Sequence, residues 1–286
     1  MKDDWKPFLD RLDELIGRLD RVLPPVHDGP DWKAATAFRW RKTARGGVLE
    51  AVRHPHVIRF ADLKDIDAQK RRLRENTAQF VAGRPANNVL LTGARGTGKS
   101  SLVKAALKEF APKGLRLIEV DKRDLVDLPD IVDLIADRRE RFIVFCDDLS
   151  FEASDAGYKS LKVALDGSIA GSAENVLIYA TSNRRHLMPE FMDENLEARH
   201  VGGEIHPGET TEEKISLSER FGLWLSFYPF DQEQYLDIAD HWVERLGGKA
   251  TEASRKAALL WALERGFRSG RVAWQFARDW AGRRKK

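Results

Sequence analysis

Val89-Leu90-Leu91-Thr92-Gly93-Ala94-Arg95-Gly96-Thr97-Gly98-Lys99-Ser100 is the stretch that decides the fold. Its opening apolar run reads as a buried strand. A glycine-rich turn follows, then a helix carrying Leu102, Val103, Ala106 and Phe110. Gly93 to Ser100 fits G-x-x-x-x-G-K-[ST] between a strand and a helix, the context that this pattern needs. The glycines let backbone N–H groups wrap phosphate oxygens without side-chain clash, and the helix N-terminus adds positive potential. Lys99 is placed to reach the β- and γ-phosphates of a nucleotide, and Ser100 to ligate Mg²⁺. Gly93, Ala94, Arg95, Gly96, Thr97, Gly98, Lys99, Ser100 and the adjoining Ser101 are therefore the expected nucleotide-binding residues. The bland alternative is a glycine turn with an ordinary surface lysine.

Downstream, strand and helix signals alternate. Residues 115–120, 142–146, 176–180 and 221–228 read as further strands, and 128–136 and 158–165 as helices. Fully apolar strands between helices predict a parallel sheet covered on both faces. Phe142-Ile143-Val144-Phe145-Cys146-Asp147-Asp148 is such a strand ending in two carboxylates. Ligands of open α/β sheets gather at strand carboxyl ends. Adjacent acids there repel unless a cation or separate roles relieve them. Asp147 fits the Mg²⁺-side ligand, and Asp148 the group that orients or deprotonates an attacking water. Cys146 falls on the other side of Phe145 and reads as a buried small hydrophobe.

Together these elements resemble the AAA+ ATPases, and the resemblance spans residues 58–286. It implies ATP and Mg²⁺ as ligands, and a five-stranded parallel sheet sandwiched by helices with a C-terminal helical lid. It also implies roles for three more residues. Asn183, ending the strand Val176-Leu177-Ile178-Tyr179-Ala180-Thr181-Ser182-Asn183, looks like the sensor-1 residue that holds the lytic water. Arg220 looks like the arginine finger that one subunit inserts into its neighbour's site, which makes the chain an expected homo-oligomer. Arg271, after Ser269-Gly270, resembles the sensor-2 arginine at the γ-phosphate, with Arg268 as competitor. The segment from Phe60-Ala61-Asp62-Leu63 to Ile66 resembles the stretch that packs on adenine. The chain departs from the superfamily at Asp148, where the second acid is commonly Glu. Asp is one methylene shorter, which puts water activation in question.

A narrower resemblance rests on three segments. They are Asn88-Val89-Leu90-Leu91, Phe145-Cys146-Asp147-Asp148-Leu149-Ser150-Phe151 and Arg220-Phe221-Gly222-Leu223-Trp224-Leu225-Ser226-Phe227. They look like a bacterial AAA+ family known only as a domain of unknown function.

The flanks read differently. Residues 231–286 carry three helices and no strand signal. Asp231 with Gln234 resembles a capping box, and Thr251 and Ser269 are further expected caps. Residues 5–23 hold an amphipathic helical stripe stopped by Pro24-Pro25. Residues 26–52 are basic and aromatic without a clear fold. The expected division is 1–52 as a helical N-terminal region, 53–230 as the nucleotide-binding domain and 231–286 as the lid.

Composition limits the rest. Hydrophobic residues are 42% and charged residues 33% of 286, which fits neither a membrane protein nor disorder. Lys and Arg number 48 against 45 Asp and Glu, so the net charge of +3 announces no nucleic-acid partner. One cysteine suits a reducing cytoplasm, and the acidic start lacks a signal-peptide apolar stretch. No membrane insertion is expected.

The expected function is Mg²⁺-dependent ATP hydrolysis coupled to remodelling or loading of a protein or nucleic-acid partner. Lys99, Asp147, Asp148, Asn183 and Arg220 are its expected catalytic residues. The alternatives are a nucleotide-dependent switch or loader with little turnover, possible on DNA, and a small-molecule kinase. No guanine-reading N-K-x-D follows the fourth strand, where the sequence is Thr181-Ser182-Asn183-Arg184. Arg184-Arg185-His186 could face phosphate, nucleic acid or a neighbour. Arg39, Arg41, Lys42 and Arg45 beside Trp32 and Trp40 could touch nucleic acid, but the favoured reading is that half-buried Trp residues pack this N-terminal segment on the core. His200, Glu204 and His206 fit no strong metal template.

Overall fold

In the computed structural model the phosphate-loop strand is β3, Val89–Gly93, and it lies inside a seven-stranded sheet. The structure describes residues 5–22, 30–43, 46–151, 155–166, 173–183, 199–201, 204–206 and 217–283. The sheet contains β1 (Ala37–Thr43), β2 (Gly46–Ala51), β4 (Leu115–Glu119), β5 (Arg141–Cys146), β6 (Val176–Ser182) and β9 (Leu223–Phe227) besides β3. The order is β2-β1-β4-β5-β6-β3-β9, parallel throughout except for β2, which runs antiparallel to β1. The short strands β7 (Arg199–Val201) and β8 (Glu204–His206) form a separate antiparallel pair.

The five expected strands are present and adjacent, as β4-β5-β6-β3-β9. The hairpin β1–β2 adds two more, from residues expected to be helical or unassigned. Its cause is local: Phe38 and Trp40 sit two apart and turn to the same buried face, which is strand periodicity. Trp32 closes over them, its ring 4.6 Å from Phe38 and 5.0 Å from Phe142. Within residues 1–52, helix is described only in α1, Lys6–Val22. That helix belongs to a separate compact unit, residues 1–31, and exposes Trp5, Phe8, Leu9, Leu12 and Leu15.

Alternate residues of each central strand feed opposite cores. Val89, Leu91, Ile143, Phe145 and Tyr179 face one side, with α2 (Asp67–Val81) and α3 (Lys99–Phe110). Leu90, Phe142, Val144, Cys146 and Ile178 face the other, with α4 (Leu128–Ile135) and α5 (Ala156–Asp166). Burial of each such side chain is worth about 1.5–3 kcal/mol. The Cys146 thiol is pushed up to about 12 by burial and then by Asp147. A polar tie inside the first core is at Tyr179, whose hydroxyl meets Asn76 Nδ2 at 3.2 Å and Thr77 Oγ1 at 2.9 Å. Asn76 also exchanges bonds with the Asn87 backbone, which anchors α2 to the entry of β3.

The C-terminal helices are α6 (Gln232–Arg245), α7 (Glu252–Arg265) and α8 (Gly270–Gly282). All three expected caps are made. Asp231 accepts from the Gln234 N–H, Thr251 from Ser254 and Ser269 from Val272. Each cap is worth about 1 kcal/mol.

Candidate active site

The site forms where β3, β5 and β6 end side by side. Gly93 must be glycine: its φ is +123°, and a Cβ there would stand 1.9 Å from the Phe227 carbonyl oxygen of β9. The Ala94 N–H donates to that same oxygen at 3.1 Å. The loop is thus pinned to the neighbouring strand before it turns into α3.

Lys99 opens α3 and is buried. Its ammonium donates to the Gly93 and Ala94 carbonyls at 2.7 Å each and to Asn183 Oδ1 at 2.9 Å. Burial holds its pKa down to about 8, against the opposing pull of Asp148 and Asp147. Ser100 Oγ donates to Asp147 Oδ1 at 2.7 Å, and Thr181 Oγ1 donates to the same oxygen at 2.5 Å. Asn183 Nδ2 donates to Asp148 Oδ1. Asp148 has φ +54°, in the left-handed region, which Asp tolerates better than most residues. Its N–H donates to Thr181 Oγ1 at 2.8 Å, and the next N–H, of Leu149, donates to the Thr181 carbonyl at 2.7 Å. The turn after β5 is therefore held by β6.

Lys99, Ser100, Asp147, Asp148 and Asn183 form one hydrogen-bonded group. Thr181 belongs to it and was not singled out from the sequence. The signal was there: Thr181 lies two residues before Asn183, so both side chains leave the strand on the same side.

The C-terminal helices meet the loop at Gly96. The Gly270 N–H donates to the Gly96 carbonyl at 2.9 Å, and a Cβ on Gly96 would stand 2.8 Å from Ser269 and 3.7 Å from Arg271 Cβ. Gly96 also has φ +73°. Arg271, in the first turn of α8, is thus beside the loop. At the far end of the loop, Leu63 and Ile66 are buried and their methyls come within 4 Å of a Cβ built on Gly98. Asp62, in the turn before them, is buried. It pairs with Arg245 of α6 at 2.9 Å, with His241 at 3.7 Å. Burial pushes the His241 imidazole down, and Lys64 adds to that.

Arg220 is not in this group. It precedes β9, at the strand edge opposite the phosphate loop, and its Nε bonds Asp166 at the end of α5 at 2.5 Å. Other sequence candidates fall away or lie outside the described residues. Arg39 pairs with Glu119, Arg41 with Glu50 and Lys42 with Asp127, while Trp32 and Trp40 are buried. These three cations are each paired within the fold. Arg45 and Arg184-Arg185-His186 lie outside the described residues, as do the side chains of His200, Glu204 and His206.

A family model described as "Protein of unknown function (DUF815)" matches residues 33–284. The chain belongs to that family. No curated protein matches this DUF815 chain. Among solved structures, the FIGL-1 AAA domain in complex with ADP is similar at 18% identity and TM-score 0.53, covering 79% of this chain and 73% of that one. Aeropyrum pernix Orc1 in complex with DNA is similar at 17% and 0.51, covering 81% and 63%. A Thermotoga maritima RuvB variant is similar at 16% and 0.51, covering 77% and 63%. The chain thus spans less than two thirds of the Orc1 and RuvB chains. The likeness establishes the fold, an AAA+ α/β sheet with a helical C-terminal region. Among the described residues, no helix is long and apolar enough to cross a membrane.

Proposed function

We propose that this chain binds and hydrolyses ATP in the cytoplasm and couples nucleotide state to remodelling or loading of a macromolecular partner. The observation that carries this reading is the convergence of three separate sequence segments on one hydrogen-bonded group: Lys99 and Ser100, Asp147 and Asp148, and Thr181 with Asn183. A glycine turn with a surface lysine has no reason to gather two strand-end carboxylates and a buried ammonium.

The residues that would hold Mg²⁺ are Ser100 and Asp147. Both present hard oxygen donors, already 2.7 Å apart, as a small divalent ion requires. Bound there, the ion would offset charge developing on the phosphate oxygens. Lys99 exchanges its loop carbonyls for phosphate oxygens. Asn183 and Asp148 position the attacking water, and Asp148 accepts its proton. Arg220 serves a neighbouring subunit's site, and Arg271 carries the nucleotide state to the lid. Residues 53–230 act as the nucleotide-binding domain and 231–286 as the lid.

One observation favours the switch reading as an alternative. Asp148 is a short acid, and its Oδ1 is already taken by Asn183. A site so arranged could bind ATP and turn it over slowly. The test for binding is calorimetry on Lys99→Ala after its fold is checked by circular dichroism. Loss of tight Mg·ATP binding is expected, and unchanged affinity would refute the assignment. Phosphate release by wild type then separates the hydrolase from the switch.

A further inference from the structure

We propose that the groove between α2 and the C-terminal half of α3 binds the phosphate backbone of single-stranded nucleic acid. The groove has a volume of about 860 Å³ and an apolar floor that includes Phe60, Ala78, Ala105 and Phe110. Six cationic side chains line it: Arg59, Lys70, Arg71, Arg74, Lys108 and Lys113. Three acids accompany them, Asp67, Glu75 and Glu109. Cationic side chains therefore outnumber acids two to one along this groove.

Pairing within the groove leaves much of that charge available. Lys70 bonds Asp67 at 2.6 Å, and Arg74 bonds Glu109 at 2.7 Å. Lys113 lies over the Phe110 ring. Arg59, Arg71, Lys108 and Lys113 are exposed, and no ion pair to a carboxylate is described for any of the four. This contrasts with the hairpin, where Arg39, Arg41 and Lys42 are each matched by an acid.

Apolar surface beside the cations selects among anionic partners: half-buried Phe60 and Ala78 offer a face to bases. A positively charged groove that tracks a backbone, with apolar surface for bases, is the general solution for single strands. α2 runs through the groove with Lys70, Arg71 and Arg74 on one face, the helical spacing that lines up repeated charges. The groove also shares α3 with the phosphate loop, which gives a rigid connection between the two sites. The inference does not depend on hydrolysis.

The experiment is fluorescence anisotropy of the full chain with labelled dT25, U25, a 25-base-pair duplex and a poly-glutamate peptide. Wild type is expected to bind a single strand. Neutralising four phosphates gives a slope of log affinity on log salt of about −3. The Arg71→Gln, Lys108→Gln double variant should halve that slope, and Arg71→Glu, Lys108→Glu should weaken binding at least tenfold. Both should keep wild-type melting and Mg·ATP affinity. The remote pair Lys249→Glu, Lys256→Glu has the same charge change and should bind as wild type does. Preference for dT25 or U25 identifies DNA or RNA as the source of the strand. Tighter binding of duplex or poly-glutamate would overturn the proposal. So would groove variants that bind normally, or a remote pair that loses as much.

Discussion

Thr181 Oγ1 donates to Asp147 Oδ1 at 2.5 Å and accepts the Asp148 N–H at 2.8 Å, so one hydroxyl positions both strand-end acids. It uses its donor and one acceptor at once, and no apolar isostere can replace either. Thr181→Val should leave the Asp148 N–H and one lone pair of Asp147 unsatisfied, costing about 1–3 kcal/mol. Turnover should fall at least tenfold, with a weaker Mg²⁺ dependence of ATP binding. Thr181→Ser should restore both. A Thr181→Val chain with wild-type turnover and Mg²⁺ dependence would show that Ser100 alone suffices to orient Asp147.

The two acids should separate under substitution. Asp148→Asn keeps its size and its place beside Asn183 but no longer accepts a proton. ATP binding should persist while turnover falls by about 10²-fold or more, the scale of general base contributions. Asp147→Asn should weaken Mg²⁺-dependent binding itself. Single-turnover phosphate release alongside calorimetry reads the two effects apart. Hydrolysis that survives in Asp148→Asn would assign water activation to another group.

The lid contact predicts a backbone effect. At Gly96 an added methyl meets Ser269 at 2.8 Å and the φ of +73° disfavours any L side chain. Gly96→Ala should push α8 away from the phosphate loop and raise hydrogen exchange at residues 270–273 without unfolding the sheet. Arg271→Ala should reduce ATP-induced protection over 231–283, and Arg268→Ala should not, because Arg271 is the one next to Gly96. The reverse pattern would move the lid arginine by three residues.

The central sheet and the ends of the lid helices were legible because their signals are local. Val89 to Leu91 and Phe142 to Cys146 are apolar throughout, and Asp231, Thr251 and Ser269 cap the helices that they were expected to start. The hairpin was not, although Phe38 and Trp40 alternate with Arg39 and Arg41. Charges at that density read as a solvated or nucleic-acid face. Only the fold supplies the acids, 80 or more residues away, that neutralise Arg39 and Lys42. Thr181 was missed for a related reason. A threonine within an apolar strand reads as β-propensity until Asp147 is seen beside it. The α2–α3 groove was invisible because its cations come from separate segments whose proximity exists only after folding.

The most exacting prediction concerns Arg220. It precedes β9 by three residues, and β9 pairs with β3 so that Leu223 faces Val89 and Phe227 faces Gly93. The four steps from Leu223 to Phe227, about 3.3 Å each, put about 13 Å between the Arg220 end of β9 and the start of its own phosphate loop. A reach of that size is beyond an arginine side chain, so any role at a γ-phosphate is played in a second copy. Such an arginine is worth about 10³-fold or more in turnover. Activity per chain should then rise with protein concentration. Lys99→Ala, which cannot bind ATP, and Arg220→Ala, which cannot supply the finger, should each be inactive. Mixed, they should recover part of the activity, because an Arg220→Ala site can take Arg220 from a Lys99→Ala neighbour. Asp166 adds a control. It holds Arg220 at 2.5 Å in the single chain, so Asp166→Ala should preserve activity and alter its concentration dependence. No recovery in the mixture, with mixed oligomers demonstrated by native mass spectrometry, would exclude the trans role. Full activity in a strict monomer would exclude it as well.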